Sequence, residues 1–547
     1  MSTDQSRQCP PQWLESAAIY QIFVASFQDS NGDGCGDLAG LTARLAHIAD
    51  LGFDTLWLCP IYDSPFRDAG YDVRDHKRIA PRYGTLADFD RLVAALHARQ
   101  MRLIMDLVPG HTSDEHPWFI ESRRHAANPY TERYIWSPTT FCGPGECEYP
   151  GSFIRGAAER DGNYLSNFFY FQPALNYGFA DPDPRQPWQL PLDHPAVLAT
   201  RQEMLSIMRF WLDRGVDGFR VDMAPSLIRA NDPQALKAAR CRFWTKVREE
   251  LRRDYPDIAL IAEWSHPGEA IESGFDLDFM IHFNQASAMK VMRGENCRTI
   301  VNLNDVSYFD AAGRGELQTF FSEMQAHLAR IGNRGLLSVP TGNHDLPRYS
   351  VNRDEAEIKC LLTFLFTLPA VPTLYYGDEI GLRDLSPLPS KEGGYRRTGA
   401  RTPMQWDDTE GAGFSTAPAA DWYLPLDPDS QRPTVARQLR QDDSVLQHVK
   451  RLLKLRREWP ALGARGLFRQ LNSPDQPYPV IYERQMGRTC LRVAINPLAQ
   501  PVVGTCDPFL ADYACVAGEA VVKQSRRDSR ATIHLAGRQY AVWTYAY

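Results

Sequence analysis

Apolar residues along this chain alternate between two textures. Short continuous runs such as Ala18 to Phe27 (AIYQIFVASF), Thr55 to Pro60 (TLWLCP) and Arg102 to His111 (RLIMDLVPGH) read as buried strands. Between them lie segments of helical spacing, LTARLAHIADLGF and Leu86 to Arg99. Strand and helix recur in units of about forty residues, the signature of a parallel sheet with helical crossovers. From His111 to about Asn176 the pattern lapses into Pro, Gly, Asn and aromatics. That stretch is too long for an ordinary loop and predicts a domain inserted after the third strand. The alternation resumes with a helix over Val197 to Arg214, the strand GFRVDM (Gly218 to Met223), a helix over Pro233 to Arg253 and a strand ending IALIAEW at Trp264. The apolar run DLDFMIHF, a helix over Leu317 to Ile331, the strand in GLLSVPTGNHD, a helix over Glu355 to Leu368 and the strand in VPTLYYGDEIG complete it. The whole predicts an α/β fold, a (β/α)8 TIM barrel built from residues 1–110 and 177–459 around an insertion at 111–176. The loop 382–432, with its glycines and Trp406, is expected to be a lid over the cleft. After about residue 460, short alternating runs (VIYERQ, CLRVAI, ATIHLAG, YAVWTYAY) predict a C-terminal antiparallel β domain, 460–547.

A barrel of this kind carries its chemistry at the carboxyl ends of its strands. Acidic residues stand there: Asp106 on the third strand, Asp222 on the fourth, Glu263 on the fifth and Asp345 on the seventh. Buried acids brought together in this way are costly unless they are used. Arg220 and Asp222 are alternate strand residues and point to one side, so the guanidinium is expected to keep the carboxylate ionised. Near the N-terminus, DSNGDGCGD places Asp29, Asn31, Asp33 and Asp37 at alternate positions around glycines. With the Cys35 carbonyl these oxygens suit a Ca²⁺ ion; an Asx-rich turn held by its own backbone is the other reading.

Composition narrows the partners. The 547 residues are 44% hydrophobic and 11% aromatic with a formal charge of −7, a folded, mildly acidic protein that lacks the clustered positive charge nucleic acid demands. The N-terminal MSTDQSRQCPPQWLES is polar, and no run reaches a membrane span, so neither a leader nor an anchor is expected. Eleven cysteines without paired metal spacing fit reduced thiols and a cytoplasmic protein. Cys142 and Cys147, in FCGPGECEYP, are the one close pair and could bridge if oxidised. Oligomeric state stays open.

The stretches DLVPGH (106–111), QPALN (172–176), GFRVD (218–222), Glu263 in IAEW, GNHD (342–345), DSNGDGCGD and YYGDEIG together resemble the α-amylase family, glycoside hydrolase family 13. RDAGYD and ARTPMQW are similar to its oligo-1,6-glucosidase, α-glucosidase and trehalose synthase branch. The resemblance implies Asp222 as nucleophile, Glu263 as general acid/base and Asp345 as the carboxylate that grips the sugar's 2- and 3-hydroxyls. It implies Asp68, Tyr71, His111, Arg220, His344 and Arg401 around a terminal glucose, Tyr71 as a stacking platform and the histidines as donors to hydroxyls. The physics agrees: a retaining reaction needs one ionised and one protonated carboxyl, and Glu263 beside Ile261, Ala262 and Trp264 has the apolar company that raises a pKa. The expected activity is a retaining exo-acting α-glucosidase on short oligosaccharides or disaccharides, with transglycosylation. A trehalose synthase-like or sucrose-isomerising transferase is the alternative, and a non-catalytic relative a remote one. Three positions depart from the family pattern: Gly110 replaces an Asn that binds Ca²⁺ between barrel and insertion in true amylases, Ala174 replaces an Asp, and Met223 follows the nucleophile.

Overall fold

Runs of apolar residues without alternation have no face to give to water, and here they become the staves of a barrel. A computed structural model describes residues 9–141, 152–156, 158–281, 285–293, 307–473, 475–509, 513–524 and 530–546. Its parallel sheet consists of β1 (Ile19–Ile22), β2 (Thr55–Leu58), β3 (Arg102–Leu107), β4 (Gly218–Val221), β5 (Ala259–Ala262), β6 (Leu277–Phe279), β7 (Leu336–Ser338) and β8 (Thr373–Tyr375). Neighbours in sequence are neighbours in space, and β1 turns back to pair with β8. A parallel bridge between Ser338 and Val371 nearly closes the ring.

The register fixes what meets on the rim. Asp106 on β3 lies opposite Arg220 on β4, and Ala262, which precedes Glu263, lies opposite Asp278 on β6. Helices return the chain outside the barrel and start where the sequence marks them. Thr85 and Asp354 close capping boxes with Asp88 and Glu357, and prolines open Pro195–Leu212 and Pro233–Asp254.

Between β3 and Pro195–Leu212, the insertion holds a short helix, Pro117–Ser122, and a two-stranded ribbon, Phe153–Ile154 with Tyr164–Leu165. Bridges from His111 to Ala174 and from Tyr134 to Leu175 draw the end of the insertion back against its own earlier segments. Beyond Val445–Glu458 the C-terminal region forms two antiparallel sheets, of five and three strands, packed through Ile481, Cys490, Cys506, Ile533 and Trp543. No described helix is long and apolar enough to cross a membrane. Cys142 and Cys147 lie outside the described residues.

Two expectations change. The run Ala18 to Phe27 is a strand only as far as Ile22; Val24–Ser26 is a 3-10 turn that leaves the sheet to meet the long loop after β8, where Met404 donates to the Ser26 carbonyl. Trp406 does not cover the cleft. It is buried, its Nε1 donates to the Phe27 carbonyl at 3.0 Å and Arg44 lies over its ring, so it roots the loop in the barrel wall. An indole that large gains more from burial than from standing in solvent.

Candidate active site

The rim is organised around one guanidinium. Arg220 Nη1 donates to Asp106 at 2.6 Å and to Asp222 at 2.9 Å, while Nη2 meets Glu263 at 2.7 Å. Asp222 and Glu263 each stand one residue past their strand ends. After Asp222 the chain turns sharply, with Met223 in the left-handed region at φ 42°. That turn aims the Met223 amide at Glu263 Oε2, 2.8 Å away. Asp106 and Arg220 are sealed, whereas the Glu263 and Asp345 side chains keep 18% and 22% exposure, so these two carboxyls face the opening.

One positive charge cannot hold three buried carboxyls ionised. Burial pushes Asp106 up to about 6 against the pull of Arg220. Asp222 is raised well above the usual carboxylate range, first by burial and then by the negative charge of Glu263, to which it is hydrogen-bonded; Arg220 opposes both. The expectation that Arg220 alone keeps Asp222 ionised is therefore corrected. The guanidinium is shared among Asp106, Asp222 and Glu263.

Asp345 lies seven residues beyond β7, in a loop, and joins the group through His344. Its Oδ2 is 3.3 Å from His344 Nε2, and the His344 ring stacks on Tyr71 at 5.2 Å. The Tyr71 hydroxyl donates to Asp106 at 3.0 Å. With one face of Tyr71 covered by His344, a sugar can meet only the other. Gln21 donates to His344 Nδ1, and burial depresses the imidazole well below its ordinary value, which leaves it neutral with Nε2–H toward Asp345. Arg401, fully buried, donates to the His344 carbonyl at 2.8 Å and to Asp345 at 3.2 Å. Asp68 accepts from Gln172 at 2.8 Å and is pushed up to about 6 by burial.

His111 is placed differently. Its Nε2 donates to the Tyr71 carbonyl at 3.1 Å and its Nδ1 accepts from Asn167 at 3.1 Å, so both ring nitrogens are engaged by protein. In this arrangement it holds Tyr71 and does not offer a donor to sugar. Asn167 also presses on Gly110, where an added Cβ would lie 2.7 Å from its amide nitrogen.

Sequence reasoning missed Arg397. It donates to Asp345 at 2.6 Å and reaches Asp68 at 3.5 Å, tying the two carboxylates across the cleft. The signal was present: Arg397 and Arg401 lie one turn apart in the 3-10 segment Tyr395–Arg401. Trp57, whose Nε1 donates to Asp106 at 3.2 Å, was also missed. Beneath the acids a cavity of about 10 Å³, lined by Trp57, Arg220, Glu263, Ser265 and Asn343 among others, is the size of one water.

In the loop from Asp29 to Asp37, Asp29 accepts from the amides of Asn31, Gly32 and Gly34 and from Ser415. Asp33 accepts from the Cys35 amide, and Asp37 from Ser30 and, as a helix cap, Gly40. Among the described residues no group of three or more His, Cys, Asp and Glu is poised to hold a metal ion. As folded, the loop satisfies itself through Asx turns, and a cation would have to use the remaining lone pairs together with Asn31 and a carbonyl.

Carboxyls grouped on one arginine at the carboxyl rim of a parallel barrel define an enzyme of the glycosidase class. The chain belongs to the α-amylase family: the family model described as alpha amylase, catalytic domain, matches residues 21–464. It is 33% identical over 549 residues to an oligo-1,6-glucosidase of Parageobacillus thermoglucosidasius, covering 88% of this chain and 90% of that protein. It is 32% identical over 524 residues to the trehalose synthase/amylase TreS of Mycolicibacterium smegmatis, covering 87% and 81%. The fold superposes with a TM-score of 0.78 on a mutant isomaltulose synthase from Erwinia rhapontici bound to its natural substrate sucrose, at 26% identity and 98% and 99% coverage. The chain is thus an enzyme of the branch that holds oligo-1,6-glucosidases, TreS and isomaltulose synthases.

Proposed function

We propose that this protein is a retaining, exo-acting α-glucosidase that removes a terminal glucose from short oligosaccharides or disaccharides. The observation that carries the reading is the single guanidinium shared by Asp222 and Glu263, which sets a nucleophile and an acid beside one reacting carbon. A sugar enters between Tyr71 and the Asp68–Arg397–Asp345 bridge, and that bridge walls the far end, as an exo-acting site requires. Glu263, carrying a proton, turns from Arg220 to the glycosidic oxygen, which leaves the guanidinium to Asp106 and Asp222. Asp222, now ionised, attacks the anomeric carbon as Glu263 protonates the departing oxygen, while Asp345 grips hydroxyls as positive charge builds. Water, deprotonated by Glu263, then releases glucose with retained configuration; a second sugar in its place gives transglycosylation.

A second reading is an isomerase or transferase of the same chemistry, trehalose synthase-like or sucrose-isomerising. Its support is the likeness to TreS and to the isomaltulose synthases. Incubation with maltose, isomaltose and sucrose followed by chromatography separates the two. Free glucose as main product supports hydrolysis, and a new disaccharide as main product replaces it with the second reading.

We also propose that the Asp29–Asp37 loop takes a structural Ca²⁺, which would cross-link the segment after β1 and leave the chemistry untouched. A melting temperature lowered by EDTA and restored by Ca²⁺ supports this; an unchanged melt rejects it.

A further inference from the structure

Glu263 is held at its tip by Arg220 and the Met223 amide, both carried by β4 and the turn after it. Its backbone is held from the opposite side. Asp278, on β6 and fully buried, accepts from the Trp264 amide at 3.1 Å through Oδ1 and from the His266 amide at 2.9 Å through Oδ2. The Ser265 and Phe279 amides also hydrogen-bond to this carboxyl. Between the two gripped amides Ser265 sits in the left-handed region at φ 56°, and Gln285 donates to its carbonyl at 3.1 Å. Asp276, two residues earlier and just before the strand, is neutralised instead by Arg248 and Arg252. The carboxyl of Asp278 is spent on the peptide that follows Glu263, holding a turn that non-glycine residues avoid.

We propose that Asp278 is a positioning residue for Glu263. By clamping the amides of residues 264–266 it fixes the direction in which the Glu263 side chain leaves β5, so that its carboxyl meets the glycosidic oxygen. The inference rests on Glu263 being the acid/base. A defect in proton donation shows only where the leaving group needs a proton. The experiment therefore compares maltose, with its poor leaving group, against p-nitrophenyl α-glucoside in wild type, Asp278→Asn, Asp278→Glu and Glu263→Gln, each checked by thermal melting. Loss of positioning is expected to lower kcat/KM, which reports the glycosylation step, by about 10- to 100-fold on maltose in Asp278→Asn and only a few-fold on the aryl glucoside. Asp278→Glu, which keeps the acceptor and shifts it by one methylene, is expected to show the same selective loss in smaller measure; it carries the comparison if the Asn variant does not fold. Equal losses on both substrates, in variants of Asp278 alone, overturn the proposal and leave a structural carboxylate. If Glu263→Gln also lowers kcat/KM equally on both substrates, the acid/base reading itself has failed.

Discussion

At the scale of single residues, charge is rationed. Asp68 has a folded-state value of about 6 against roughly 3.9 for a free aspartate. Between those values the folded chain binds a proton that the unfolded chain releases. The stabilisation from Asp68 is therefore full below about pH 4 and is lost as pH rises through about 6. Buried His111, depressed to about 4, contributes in the opposite sense, and it cancels when variant and wild type are compared. Asp68→Asn is expected to remove a loss on the order of 3 kcal/mol between about pH 4 and pH 7, read as a smaller fall in stability by denaturant melts at the two pH values. The same variant loses the Arg397 bridge, so its activity on disaccharides is expected to fall with a raised KM.

At the scale of elements, the loop after β8 shows how a rim carboxylate is held by a residue far from it. Trp406 roots the loop and Arg401, five residues earlier, reaches Asp345. Trp406→Ala is expected to cost about 3–5 kcal/mol and to raise KM as Arg401 loses its footing, seen as a lowered melting temperature together with steady-state kinetics. The barrel strands were legible because a stave buried on both faces must be continuously apolar. Asp222 and Glu263 were legible because they end such runs. Asp345 was placed at a strand end yet lies in the loop beyond, since only its motif and no periodicity marked it. The roles of Trp406 and His111 were not legible because each depends on a partner brought from another part of the chain, Phe27 in one case and Asn167 in the other. The sharing of Arg220 was not legible for a related reason: local neighbours suggested two separate environments for Asp222 and Glu263, and the fold gave both residues the same arginine.

At the scale of the molecule, the C-terminal sheets are tied to the barrel by cations set against carbonyls. Arg484, in the five-stranded sheet, donates to the carbonyl of Thr367 at the end of helix Glu355–Thr367 and to those of Gly463 and Gly466, while Arg456 of helix Val445–Glu458 donates beside it to those of Phe366 and Ala370. Carbonyls at a helix C-terminus lack partners of their own, and the macrodipole favours positive charge there. Burial lowers Arg484 to about 9, a measure of how closely it is enclosed. Arg484→Ala strands those carbonyls in a dry interface and is expected to cost about 3 kcal/mol or more. Loss of tryptophan fluorescence and loss of activity should then move together to lower denaturant, as they do if both regions unfold in one step.

The deficit of positive charge around Arg220 also bears on what else the cleft attracts. A small hydroxylated amine, protonated in solution, supplies the missing cation without any glycosidic bond to break. Such amines are expected to inhibit competitively while they remain protonated. An assay buffered with one would overstate the enzyme's KM, and the excess would vanish in phosphate.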